Sequence, residues 1–264
     1  MSKELVQKQF GSHARAYATS EVHAKGASLA RLVELVQPEA DWEVLDVATA
    51  AGHTAFAFAP HVRHVVASDI TPEMLPVAAE LAEEKGLKNI TMKSADAEKL
   101  SFDDDQFDLV TCRIAAHHFP HVDQFLSEAH RVLRRGGLLA VVDNVVPGSG
   151  ADDETGNALR AAGAYVNAFE KLRDPGHGRC LSVAEWLQAY SESGFEVIQD
   201  ETAPKRMLFD PWVRRLGATE ETQQQVRDML ENGSQEVMAF LHPEEGADGL
   251  AFYLTEGIFV GRSR

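Results

Sequence analysis

The chain has 264 residues, 44% of them hydrophobic and 25% charged, with 41 acidic against 25 basic side chains and a formal net charge of −16. That size suits one large domain, or one domain carrying an elaboration, and the charge argues against nucleic acid, whose binding draws on clustered Lys and Arg. No stretch of about 18 apolar residues is present to span a membrane, no signal-peptide core opens the chain, and Cys112 and Cys180 form neither a disulfide framework nor a zinc spacing. A reducing cytoplasm is the expected compartment.

Residues 1–20 are polar with two aromatics, Phe10 and Tyr17. A polar arm retains aromatics when they pack on something, so both are lid candidates. From Thr19 onward, Val22, Leu29, Val33 and Val36 share one helical face, with Pro38 beyond them. Strands are then expected at 43–48, 64–69, 90–96, 107–115 and 138–143. Helices alternate with them. One is capped by Thr71, carries Pro72 at its first position and ends at Gly86; another runs from about Asp123 to Gly136-Gly137. This alternation of helices with near-continuous apolar strands predicts a doubly wound, mostly parallel α/β sheet covered on both faces. Asp103-Asp104-Asp105 reads as a solvated turn, and Arg131 with Arg134-Arg135 as a helix C-terminus.

Past residue 147 the alternation loosens. A helix near 152–172 has Asp152, Asp153 and Glu154 in its first turn, and the loop "RDPGHGRC" (173–180) leads to a helix at 182–194 with a capping signal in Ser182 and Glu185. Two final strands are expected at 195–203 and 251–263, separated by mostly helical residues from Phe209-Asp210-Pro211-Trp212 onward. Trp186 and Trp212 read as core anchors of these added helices, and Cys112 as a small apolar strand residue.

Ligands of an open parallel sheet sit beyond the carboxyl ends of its strands. The first strand ends in Asp46 and a small-residue turn, Ala48-Thr49-Ala50-Ala51-Gly52; the second ends in Asp69; the third in Asp96-Ala97; the fourth in Arg113 followed by "AAHHF". A carboxylate at the second end can accept from both hydroxyls of a ribose. That serves a nicotinamide dinucleotide too, but the pyrophosphate needs a Gly-rich turn. Here Gly52 stands alone while Asp46 places negative charge beside the turn, which suits a ligand with an ammonium group and no phosphate. Asp96 can accept from an adenine amino group while the Ala97 N–H donates to a ring nitrogen. Ribose, adenine and an ammonium group together describe S-adenosylmethionine.

Through "VLDVATAAGHTA", "VVASDITPEML", "SADAEKLSFDDDQFDLVTCRIAAHHF", "EAHRVLRRGGLLAVVD", "RDPGHGR" and "FGSHARAYATSEVHAKG" the chain resembles the class I S-adenosylmethionine-dependent methyltransferases, in the branch related to ubiquinone/menaquinone-biosynthesis C-methyltransferases. The resemblance covers essentially the whole chain. It implies one domain over 1–264, with a Rossmann-like sheet of seven strands, the last inserted antiparallel. A lid arm and helix would occupy 1–36, the cofactor core 37–147, and helical substrate caps 148–194 and 204–250. It also implies that Ala48, Thr49 and Gly52 line the methionine end of the cofactor and that Asp69 holds the ribose. Ile70 and Met74 flank the adenine, Asp96 and Ala97 read its edge, Arg113 begins the segment nearest the sulfonium, and Tyr17 folds over from the lid. Members commonly carry Gly-x-Gly-x-Gly where this chain has Ala48 to Gly52, so Ala50 is expected to be strained if its position needs φ > 0, and to weaken cofactor affinity.

Methyl transfer from a sulfonium loses charge, so a desolvated, aligned site supplies much of the rate, and a base matters only where the acceptor holds its proton. His117, His118 and His177 are the candidate bases. Neighbouring residues of extended chain point oppositely, so at most one of His117 and His118 should face the cleft, and packing or hydrogen bonding is the alternative reading of the pair. His177 with Arg173, Asp174 and Arg179 reads equally as a loop-stabilising ion network. His117, His118 and His121, interrupted by Pro120, lack a metal-ligand spacing. The expected activity is methyl transfer to a small-molecule acceptor whose reacting atom is open, as is the oligomeric state. The alternatives are a catalytically silent S-adenosylmethionine-binding protein and, behind it, a nicotinamide oxidoreductase.

Overall fold

β-Branched and other apolar runs set the frame: β1 (Glu43–Val47), β2 (His64–Asp69), β3 (Ile90–Ser94), β4 (Phe107–Arg113) and β5 (Leu133–Val145). In the computed structural model, which describes residues 3–11 and 26–264, these pair in parallel in the order β3-β2-β1-β4-β5. The path continues through β8 (Gly249–Ser263) to the edge strand β6 (Phe195–Leu208), so the last strand is inserted ahead of its predecessor and the closing strands run antiparallel. Among the described residues only the three-residue β7 (Glu244–Gly246), an antiparallel partner of β8, falls outside the seven strands the sequence predicts. Pro204 lies within β6, where an edge strand tolerates a missing N–H.

The chain divides into two compact units. One comprises Met1–Asp143, Ala189–Glu201 and Ile258–Arg264. Its helices are α1 (Lys3–Gly11), α2 (Ala27–Val36), α3 (His53–Phe58), α4 (Met74–Glu84) and α5 (Val122–Val132). Leu32, Val44, Phe58, Val65, Leu109 and Val260 are among its fully or nearly fully buried core residues. The other unit comprises Asn144–Gln188 and Thr202–Gly257. It holds α6 (Glu154–Arg173), α8 (Phe209–Arg214), α9 (Glu220–Glu231) and α10 (Gln235–Leu241), with α7 (Val183–Glu192) starting in it. Short polar residues cap these helices: Asp153, Thr219 and Ser234 each accept a backbone N–H from the first turn, and Ser182 with Glu185 closes a reciprocal capping box. Trp186 and Trp212 are buried. No described helix is long and apolar enough to cross a membrane.

Several boundaries differ from the expected ones, and three of the differences have a local cause. α5 stops at Val132, and Gly136-Gly137 belong to β5 instead: Phe107 pairs with Leu133 but Leu109 with Leu138, so residues 134–137 bulge. Gly136 takes φ +82 there, and a Cβ on Gly137 would stand 2.9 Å from the Arg134 carbonyl. β4 ends at Arg113 rather than 115, because Ile114 turns to φ +53. α4 begins at Met74 because Thr71 opens with a tighter i→i+3 bond, Met74 N to Thr71 O at 3.1 Å.

Candidate active site

At the end of β1 the backbone leaves the sheet through Ala48 at φ +54, Ala50 at φ +47 and Gly52 at φ +87. The two alanines hold a left-handed conformation that costs a residue with a Cβ about 1–2 kcal/mol. Gly52 is required twice over, since a Cβ on it would also meet the Phe56 ring at 2.4 Å. Three backbone N–H groups hold the turn: Thr49 N donates to Ser68 O at 2.9 Å, Gly52 N to Thr49 O at 2.8 Å, and Ala50 N to the side-chain Asp69 Oδ2 at 2.9 Å. Asp46 lies beneath it, accepting from Thr49 Oγ1 at 2.5 Å, Thr111 Oγ1 at 2.7 Å and Ala55 N at 3.2 Å. Burial outweighs these bonds and the charge of Arg113, and pushes the Asp46 carboxyl up to about 6. This acid serves the turn itself and does not line the cavity above it.

That cavity, of about 110 Å³, opens over the carboxyl ends of β1, β2 and β4 and the segment after β3. Eight residues expected at a cofactor meet there: Ala48, Thr49, Asp69, Ile70, Met74, Asp96, Ala97 and Arg113. Gly52 shapes the turn without lining it, and Tyr17 lies outside the described residues. Asp69 accepts from Thr71 N at 2.8 Å and from Ala50 N at 2.9 Å, and burial raises its carboxyl above the ordinary range. A carboxylate held in this way at a strand end is of the type that accepts from the hydroxyls of a vicinal diol. Ile70 and Met74 add an apolar wall beside it, and Arg113 donates through Nε to Thr54 Oγ1 at 3.2 Å. The donor and acceptor set therefore fits a nucleoside.

Of the three histidines, His118 lines the cavity, with Phe10 edge-on to its ring at 5.0 Å. His117 is turned away and buried. Its N–H donates to Asp143 Oδ2 at 2.7 Å, and its Nδ1 stands 2.6 Å from Asp143 Oδ1. The two rings lie 4.1 Å apart. His177 is not brought to this cavity's lining. It is buried in the second unit, where Nε2 contacts Asn167 Oδ1 at 2.9 Å and its carbonyl accepts from Lys171. Nearby, Arg173 covers the Trp212 ring at 4.5 Å and approaches Asp174 at 3.8 Å, while Arg179 pairs with Glu185. Among the described residues no group of three or more His, Cys, Asp or Glu could hold a metal ion.

Lys3, Glu98, Ile114 and Asp143 were missed by sequence reasoning. Asking of the fifth strand what was asked of the first four would have found Asp143, the last residue of the expected strand 138–143. Ile114 carried no signal, because a β-branched residue is among the least expected at positive φ.

The methyltransferase domain family matches residues 45–141. The uncharacterised methyltransferase YcgJ of Bacillus subtilis is 35% identical over 229 residues, covering 86% of this chain and 86% of that protein. Its crystal structure superposes with a TM-score of 0.80 at 33% identity, covering 90% of this chain and 98% of that one. The ubiquinone/menaquinone biosynthesis C-methyltransferase UbiE of Zymomonas mobilis is 40% identical over 105 residues, which is 40% of this chain and 43% of UbiE.

Proposed function

This chain belongs to the class I S-adenosylmethionine-dependent methyltransferases, in the UbiE-like branch, and from that premise we propose how its residues hold the cofactor and the acceptor. The observation that carries the reading is the convergence of eight expected residues on one cavity at the strand ends, with Asp69 anchored by two backbone N–H groups. Asp69 takes the ribose diol, Ile70 and Met74 flank the adenine, and Asp96 with the Ala97 N–H reads its edge. Ala48, Thr49 and Arg113 face the methionine end. When bound, S-adenosylmethionine supplies an electrophilic methyl group on a sulfonium.

The chain's own part is to align and desolvate. The cavity wall is mostly apolar, which favours a reaction that loses charge. Of the three candidate bases His118 is the one that lines the cavity, which His53 also lines, so among those three it is the residue placed to take a proton from an acceptor that still carries one. His117 supports it from behind through Asp143, and His177 with its neighbours fits the loop-stabilising role. The acceptor is a small molecule. Two buried cysteines, neither of them in a disulfide, suit a cytoplasmic setting.

A crystal structure with S-adenosylhomocysteine tests the assignment. Ribose hydroxyls within hydrogen-bond distance of Asp69 and adenine against Ile70 are expected; a nucleoside bound elsewhere would overturn it. His118→Ala is expected to keep cofactor affinity and lose about 10²–10⁴ in turnover of a proton-bearing acceptor. Equal turnover would remove His118 from the mechanism.

A further inference from the structure

α1 reaches the rim of the cavity through three anchors. Lys3 Nζ stands 2.6 Å from Asp96 Oδ2 and 2.6 Å from Glu98 Oε2. Gln7 Nε2 donates to the Ile70 carbonyl at 2.7 Å, and Phe10 meets the His118 ring. Glu98 is itself fixed, since its other oxygen accepts from His121 N at 2.5 Å and its side chain is only 4% exposed. The second Asp96 oxygen accepts from Glu98 N at 3.0 Å. Both oxygens of the acid assigned to the adenine edge are therefore engaged, one of them by an ammonium group from α1.

The space left is small. A cavity of about 110 Å³ compares with roughly 300–1,000 Å³ for pockets that take drug-sized ligands. α1 has nine residues and none of them is buried, and a helix that short has little stability of its own. A few polar contacts hold it, and the first of them uses a group that the cofactor needs.

We propose that α1 is a latch on the adenine subsite, in which Lys3 competes with the adenine amino group for Asp96, so that the cofactor enters by displacing the helix and Lys3 sets its affinity. This rests on the cofactor assignment above. Loss of the Lys3 charge frees Asp96 without touching the ribose or methionine subsites, and added salt acts in the same direction by screening the ion pair.

The test is calorimetric titration of the full chain with S-adenosylhomocysteine, for the wild type, Lys3→Met and Lys3→Arg, with hydrogen exchange of residues 3–11 followed at saturation. Lys3→Met is expected to bind about three- to tenfold tighter, the range of a partly exposed ion pair made to two carboxylates. Lys3→Arg should stay near the wild type, and the α1 amides should exchange faster when ligand is bound. Unchanged or weaker binding by Lys3→Met, or slower exchange, would overturn the latch and make α1 a bystander or a wall of the loaded site. These outcomes leave the cofactor assignment standing wherever the wild type binds; if no variant binds, the assignment falls and the latch falls with it.

Discussion

The turn after β1 and the aromatic interior of the second unit are stabilised in different ways. In the turn, Ala48 and Ala50 hold φ values of +54 and +47 over a fully buried carboxylate, and Ile114 at φ +53 lines the same cavity. In the second unit, Phe169 stacks on Trp212 at 5.0 Å and 15°, Phe252 meets both edge-on, and the only described non-glycine residue at positive φ is His242, at the C-cap of α10. Strained non-glycine backbone gathers at the strand ends around the cavity, whereas the second unit rests on aromatic packing. The comparison predicts that substitutions in the aromatic cluster of the second unit change stability and leave cofactor affinity alone, whereas those at the strand ends exchange stability against cofactor binding.

The largest effect is expected from Trp212→Ala, which empties the aromatic cluster and should cost about 3–5 kcal/mol of stability in chemical denaturation. Affinity for S-adenosylhomocysteine in the folded fraction should stay within about twofold of the wild type; a parallel fall in affinity would break the contrast between the two regions. Next is the pH dependence carried by Asp46. Its carboxyl stands at about 6 in the folded chain against a reference of 3.8, so the folded state binds that proton more tightly than the unfolded state does. The stability this proton contributes is whole below about pH 4 and is lost as the pH rises through about 6, a total of about 3 kcal/mol. Subtracting the stability curve of Asp46→Asn from that of the wild type should reveal the fall between pH 4 and 7; a flat difference would place the buried charge elsewhere.

Asp69→Ala should weaken cofactor binding by about 1–3 kcal/mol, the scale of a lost charged hydrogen bond, and unchanged affinity in calorimetry would remove Asp69 from the site. The smallest expected effect is Ala50→Gly. Relief of about 1–2 kcal/mol of left-handed strain, less the extra entropy of glycine in the unfolded chain, leaves about 0.5–1 kcal/mol of added stability. A destabilised Ala50→Gly variant would show that the alanine methyl group packs usefully in the turn.

Much of this architecture was legible in the sequence because it rests on local rules. Apolar runs ended by Asp69 and Asp96-Ala97, Ser182 with Glu185 in a capping box, and Trp212 in an otherwise helical stretch each declared a strand end, a helix start or a core position. The expectation that Ala50 would be strained also followed from one dihedral preference, and its φ of +47 agrees with it. What escaped depends on groups far apart in the chain. Gly136-Gly137 looked like a helix stop, because the bulge they form is defined by the register against Phe107 and Leu109. Asp143 meets His117 across 26 positions, and Lys3 meets Asp96 across 93, with nothing in either neighbourhood to announce the partner. The direction in which Asp46 faces was misleading for the same reason: its bond to Thr111 spans 65 positions and turns the carboxylate away from the cavity.

The central claim is that the cavity over the ends of β1, β2 and β4 takes S-adenosylmethionine. Its most direct test is calorimetric titration of the purified wild-type chain with S-adenosylhomocysteine and, in parallel, with NAD. The account predicts saturable one-to-one binding of the first and no heat from the second. Binding of NAD, with S-adenosylhomocysteine silent up to millimolar concentration, would contradict it.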